Sequence, residues 1–440
     1  MTECAVANIG YKLPVASTLS SDYGWAMGSN IANRDFPEWF RQLEHLSTFG
    51  DIDEVLRSAK FVQGQHRQSL MFLGDTILLI DGNEHFERRR MESELFDRAA
   101  LQYYESHALR PVINQIMTGL HSQIDGLVHA DLVDITRTAL YRISASVTGI
   151  DGVDDFESTQ TFVDWVNLLG EASTVQWSTR PMDVVIAEGL EIRRSFYDRF
   201  LGPSIQRRRD LLQQFQAGTI SKHELPRDVM MTLLLKTDGS FDPDMLVREA
   251  TLYLIASTRT TLHAVPHTFQ HIHDWAKKNN RQFAEITDPF FLRVAAAESL
   301  RLHPPSPALV REALQDVTLQ SGLTFKKGEF VGLLFGPGNR DKTVFGSDAD
   351  EFDPYRKLPD RVKGWGLSFG GGEHLCIGRS LVTGLASPKP DETTNGTILN
   401  ILTSLYQRQA QPNEASAPER IATSLYDAYV TYPIVMSPAV

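Results

Sequence analysis

The chain has 440 residues, with 43 Lys and Arg against 55 Asp and Glu, for a formal charge of −12. Its 42% hydrophobic and 22% charged residues exclude disordered and fibrous classes. Its two cysteines, Cys4 and Cys376, exclude a disulfide scaffold and a four-cysteine zinc centre. The negative balance argues against nucleic acid as the main partner.

The first thirty residues carry no basic segment followed by an apolar core. No run approaches the roughly 18 apolar residues of a spanning helix. The best stretch, Leu70–Ile80, is short and contains Asp75. The chain is therefore read as cytoplasmic, with no membrane partner. Apolar residues at helical spacing predict a helix over Ile186–Phe215. A second is predicted over Asp244–His271, where Pro266 should kink or interrupt it. His263, His267 and His271 on it are read as a half-exposed face, because a metal site there would need curvature and a fourth ligand. A third helix, Asp288–Leu302, is closed by Pro304-Pro305. Short β-like runs follow at Val317–Leu319 and Phe330–Leu334. Gly336–Gly372 reads as a long ordered loop. Ser387–Gly396 and Gln409–Glu419 read as polar surface loops. Helices first and small sheets later imply an α-dominant α+β fold.

The richest segment runs from Ser368 to Arg379: Ser-Phe-Gly-Gly-Gly-Glu-His-Leu-Cys-Ile-Gly-Arg. Consecutive glycines permit a sharp turn or a close backbone approach. Cys376 then precedes a short predicted helix, Arg379–Leu385, whose N-terminus favours thiolate. Taken alone, this cysteine reads equally as an inert buried thiol or as a metal ligand. The glycines do not make a phosphate loop, which would end in Gly-Lys-Ser/Thr. A single thiolate can, however, be the sole protein ligand of a haem iron.

Phe369, Gly372, Cys376 and Gly378 fit the pattern F-x-x-G-x-x-x-C-x-G, and the chain resembles the cytochrome P450 family from about Gly50 to its C-terminus. Glu298-Ser299-Leu300-Arg301 resembles the family's structural E-x-x-R, with Arg356 as third partner. Asp81 to Arg89 resembles the D-x-x-x-H-x-x-x-R helix of bacterial members. On their own these segments would be a surface ion pair and a solvated basic face. The resemblance implies that Cys376 ligates the iron of haem b. It places Phe369, Gly370 and Gly378 around that ligand, and His85, Arg89, Arg311 and His374 on the two propionates. It further implies one α-dominant domain over 1–440, with haem between an oxygen-binding helix and the cysteine loop. The first fifty residues and the 386–397 segment are atypical, with an inserted loop expected before a helix resumes near Thr397–Gln407.

The family's oxygen-binding helix carries A-G-x-(D/E)-T, where this chain has Ala256-Ser257-Thr258-Arg259-Thr260. Thr260 keeps the hydroxyl, which can donate a hydrogen bond and hold a water. Arg259 replaces the acid, and a guanidinium cannot shuttle protons as a carboxylate does. Three readings stay open: Arg259 turns away into a salt bridge, clamps an anionic substrate, or marks a route that bypasses proton delivery. The function implied is a haem-thiolate monooxygenase acting on a mid-sized organic substrate, for which an anionic or secondary-metabolite-like molecule is an option. Ser69–Asp75 and Glu171–Asp183 are candidate roof segments over it. Electrons would come from a ferredoxin or flavodoxin docking at Arg88, Arg90, Arg361 and Lys363. A peroxide-driven peroxygenase and a haem-binding sensor are the rivals.

Overall fold

Pro266 does not end the helix that contains it. In the computed structural model, which describes residues 36–438 apart from 65–66, 124, 238, 240, 388, 390–391 and 422–426, that helix runs unbroken from Pro243 to Lys278. The side chain of Asp242 caps it by accepting from Asp244 N. Val265, Pro266 and His267 are all buried, so packing on every side outweighs the one backbone hydrogen bond that proline cannot make. Cys4 lies outside the described residues.

The other helical expectations hold with adjusted ends. Ile186–Phe215 falls in a continuous run of Met182–Phe196, a π-helical turn at Tyr197–Leu201, and Gly202–Gln216. Asp288 caps the helix Pro289–Leu302 through Phe291 N at 2.9 Å. The predicted Gly336–Gly372 loop contains two four-residue helices, Phe335–Gly338 at its start and Lys342–Phe345, and is otherwise irregular. The helix after the cysteine is Arg379–Thr383, stopped by Gly384 at φ 71°. The expected loop follows, closed by a bridge between Leu385 and Thr394, and helix resumes at Gly396–Gln407.

The architecture is mainly helical with small sheets. A four-stranded sheet has the order Glu44–Leu46, Phe330–Leu334, Ala308–Ala313, Phe61–Gln63. Its first pair is parallel and the others antiparallel. The last pair sets Gln63 opposite Arg311. The largest apolar cluster joins Leu132–Thr148, the second half of the long helix, Pro289–Leu302 and Gly396–Gln407. A second cluster packs the first half of the long helix against Phe156–Ser173, Met182–Gln216 and Val229–Lys236. The long helix is thus the common wall of both.

Candidate active site

The cysteine loop is shaped by its glycines. Gly372 has φ 64°, and a Cβ there would stand 2.1 Å from the carbonyl oxygen of Leu56. No side chain fits, which explains a glycine three residues after Phe369. Cys376 N donates to Phe369 O at 2.9 Å, closing the loop on itself. Phe369 packs edge-on against Trp365 at 5.5 Å. Burial pushes the Cys376 thiol up, while the N–H groups of Gly378 and Arg379 and the guanidiniums of Arg379 and Arg89 pull the other way. Ile377, next in sequence, packs against the clusters that contain Leu252 and Tyr253 of the long helix.

The basic residues singled out from the sequence converge on this loop. The helix Gly82–Glu92 turns His85 and Arg89 toward it. Arg89 donates to the carbonyl of Leu375, directly before the cysteine. The His85 and His374 rings lie 4.3 Å apart. His374 Nε2 also meets Asp81 Oδ1 at 3.0 Å, a partner the sequence did not suggest. Burial, with His374 and Arg89 alongside, lowers the His85 pKa to about 4, so its ring is neutral near pH 7 and donates from one nitrogen. Arg311 is 4% exposed and donates to Gln63 Oε1 at 2.6 Å and to Val310 O. Burial lowers its pKa to about 10. Among the described residues neither Arg89 nor Arg311 has a carboxylate in ion-pair contact.

That donor set fits haem. Two desolvated guanidiniums without a carboxylate suit two propionates. On the opposite wall Ala256 is exposed although Tyr253, Leu254 and Thr258 around it are buried, leaving a small-residue face suited to a flat ring.

The distal helix is arranged differently from the family pattern. Ser257, in the place of glycine, bonds Ser144 Oγ at 2.8 Å and the Tyr253 carbonyl at 2.6 Å, which ties it to the neighbouring helix. Thr260 Oγ1 donates to Ala256 O at 2.9 Å. Arg259 has its Nε and one terminal nitrogen buried. Its charge acts on Tyr141 and on His263, whose pKa burial has already lowered to about 3. Its neighbourhood is thus the seam with the Leu132–Thr148 helix.

The E-x-x-R assembles as a buried network. Arg301, fully buried, forms a two-pronged pair with Glu298 at 2.7 and 2.6 Å and donates to the carbonyls of Asn339 and Ala349. Arg356 Nε reaches Glu298 Oε1 at 3.0 Å.

Two expectations need correction. Arg88 cannot serve as a docking residue: its side chain is 15% exposed and pairs with the fully buried Glu249. Arg90, Arg361 and Lys363 remain exposed, Arg90 beside Glu87. The histidine stripe is more buried than a half-exposed face: His267 is buried, while His263 and His271 are half-buried. His267 is 2% exposed and stacks on His303 at 4.0 Å, with Asp427 bridging to His303 Nδ1 at 3.0 Å. The other Asp427 oxygen is held by Arg420 at 2.7 Å, so this carboxylate is already paired with a cation of the chain.

A buried acid pair was missed. Glu92 and Glu249 are both 0% exposed, and Tyr253 donates to Glu92. Burial raises both carboxyls, and their mutual repulsion adds to it for Glu92. An acid at Glu249, on the apolar stretch Met245–Leu254 and seven residues before Ala256, was the available signal.

The cytochrome P450 family profile matches residues 49–383. The chain belongs to the cytochrome P450 family. Over 168 residues it is 32% identical to linalool 8-monooxygenase of Pseudomonas putida, covering 37% of this chain and 38% of that one. It is 24% identical over 437 residues to cytochrome P450 monooxygenase 205 of Postia placenta, covering 86% and 78%. The match to a self-sufficient P450 monooxygenase of Oidiodendron maius spans 16% of that longer protein. Among solved structures, a Bacillus megaterium P450 in complex with corticosterone superimposes with TM-score 0.66 at 20% identity, covering 93% and 96%. A mutant of P450 EryK in complex with erythromycin B gives TM-score 0.64 at 19% identity, covering 90% of each chain. This P450 has, among its described residues, no helix long and apolar enough to cross a membrane.

Proposed function

We propose that this P450 is a haem-thiolate monooxygenase, oxidising a mid-sized organic molecule with dioxygen and two electrons from a ferredoxin- or flavodoxin-type protein. The carrying observation is the convergence of Arg89, His85 and His374 on the loop of Cys376, with Arg311 as a further buried cation that pairs with no carboxylate among the described residues. Cys376 would hold the iron of haem b, and His85, Arg89, Arg311 and His374 its propionates. Phe369, Gly370 and Gly378 shape the loop around the sulfur. The Glu298, Arg301 and Arg356 network braces the segment that leads to the loop, through Asn339, whose amide holds Ser368 and Leu367 N. Bound haem supplies the one-electron and oxygen chemistry, and the chain supplies binding, orientation and proton positions.

On the distal side, Ala256 leaves room and Thr260 offers its hydroxyl. Arg259, in the field of Tyr141 and His263, favours the reading in which it turns from the substrate, with Thr260 and water carrying protons. The apolar roof supports a largely apolar substrate. Phe72, Leu73, Ala172, Val175 and Val185 cluster with Leu252, one turn from Ala256. That relatives act on linalool and bind a steroid agrees in size. We read 1–440 as one domain in which these parts act together. The basic pair Arg361 and Lys363 is the docking surface that remains.

The test is the carbon monoxide spectrum of the reduced protein. A thiolate-type Soret band that disappears in Cys376→Ala supports the reading, and persistence of the band in that variant sinks it. Arg259 in place of an acid favours one second reading, peroxide-driven turnover. Product formed with hydrogen peroxide faster than with reductase, ferredoxin and dioxygen would select it.

A further inference from the structure

The Gly82–Glu92 helix, which carries His85 and Arg89, has little apolar surface to bury. Its two large apolar side chains are Phe86, 63% exposed, and Met91, which is half-buried. Its buried residues are His85 and Glu92. Apolar burial alone therefore does not seat this helix, and directed polar contacts must supply the rest.

Two of those contacts form a ladder to the long helix. Arg88 pairs with Glu249, and Tyr253 donates to Glu92. Arg88 and Glu92 are four apart on one helix, and Glu249 and Tyr253 are four apart on the other, so each pair lies on one face. Both acids are fully buried. The Arg88 guanidinium also lies over the Phe241 ring at 5.2 Å, and Glu249 accepts from Ile77 N at 3.1 Å. His85 and Arg89, again four apart, occupy the neighbouring stripe of the short helix, from which Arg89 donates to Leu375 O.

A buried ion pair is a poor source of stability, since apolar side chains of similar volume do as well or better. What it adds is direction. A guanidinium on a carboxylate fixes the slide and rotation of one helix on another, where apolar side chains tolerate shifts. Arg89 follows Arg88 directly, so a rotation that frees Arg88 carries Arg89 with it.

We propose that Glu249 and Tyr253 are positioning residues: through Arg88 and Glu92 they set the rotation of the Gly82–Glu92 helix and so hold the Arg89 guanidinium at a haem propionate. This rests on the placement of Arg89 at a propionate given under the proposed function. The long helix then fixes a propionate donor as well as the distal face.

Haem transfer from the loaded full chain to apomyoglobin tests this at about pH 8, above the value of about 7 to which burial raises Glu249. Arg88→Met with Glu249→Met replaces the ion pair by apolar side chains. That double variant should melt within about 4 °C of the parent. It should nevertheless lose haem roughly fivefold faster, a part of the weight of the Arg89 contact. Tyr253→Phe, which removes one hydroxyl, should speed loss roughly threefold. In an Arg89→Gln background neither change should add more than about 1.5-fold, because both act through Arg89. Parent-like transfer in the double variant, the same fivefold gain with Arg89 already removed, or a melt lowered in step with haem loss would each overturn the proposal. Arg89→Gln that leaves transfer unchanged would sink the propionate placement and this inference with it. Arg89→Gln that speeds transfer while the double variant does not would sink the ladder alone.

Discussion

The two sides of the long helix obey different rules. On the cysteine side, short-range geometry leaves little freedom: Gly372 has no room for a Cβ, and Arg301 has all its hydrogen-bonding directions filled by Glu298 and three backbone carbonyls. On the distal side, two positions, Ser257 and Arg259, depart from the family pattern, and Ser257 and Thr260 each bond a carbonyl one turn back on their own helix. Rigid backbone constraints preserve a motif; a surface that faces a small molecule tolerates change, because its neighbours do not depend on it.

The comparison is broken most severely at Arg301. Arg301→Leu leaves buried Glu298 with Arg356 as its one remaining cation, and should cost about 3–5 kcal/mol in urea unfolding. A loss under ~1 kcal/mol would show that the network does not brace the loop. Next in size, Arg89→Gln and Arg311→Gln should each speed haem loss to apomyoglobin roughly tenfold, the weight of one charge-assisted hydrogen bond. Unchanged transfer rates would remove these residues from the propionates.

A third effect is in pH. Burial raises the Glu92 and Glu249 carboxyls, so the folded chain keeps protons that the unfolded chain has released. Their stabilising contribution is therefore complete below the ordinary carboxylate range and is lost as pH rises through their raised values. Glu92→Gln should flatten that decline and gain on the order of 1 kcal/mol at mildly alkaline pH, one pKa unit's worth. Thermal melts across pH decide it, and parallel curves for parent and variant would refute it.

The smaller effects sharpen the contrast. Arg361→Glu with Lys363→Glu should slow ferredoxin-driven reduction at low salt and not at high salt. Stopped-flow rates that ignore the double reversal would exclude this surface. Arg259→Gln should leave the substrate-induced spectral shift within about twofold of the parent affinity, because two of the guanidinium nitrogens are buried and its charge acts on Tyr141. A large loss of affinity would restore the anion clamp.

Legibility followed the range of the constraint. The cysteine motif, the E-x-x-R and the His85 and Arg89 pair were visible because they depend on spacing along one helix or one turn. The fate of Pro266 was not, because helix continuity there depends on apolar packing from several distant segments. Arg88 was misjudged for the same reason: it opens a run of three arginines, and only the packing of its helix on the long one brings it to Glu249. The histidine stripe gave its period correctly, but its burial depends on His303 and Asp427, which lie far along the chain.

The sequence by itself determined the family, the cysteine, the glycines around it and the one unusual arginine, since each is a local chemical requirement written in fixed spacing. The tertiary structure alone decided which charges are buried, that Glu249 raises the Glu92 carboxyl, and that Tyr104 Oη has no hydrogen-bond partner among the described residues. Those outcomes depend on which surfaces exclude water, and water is excluded by contacts between segments that the sequence does not order.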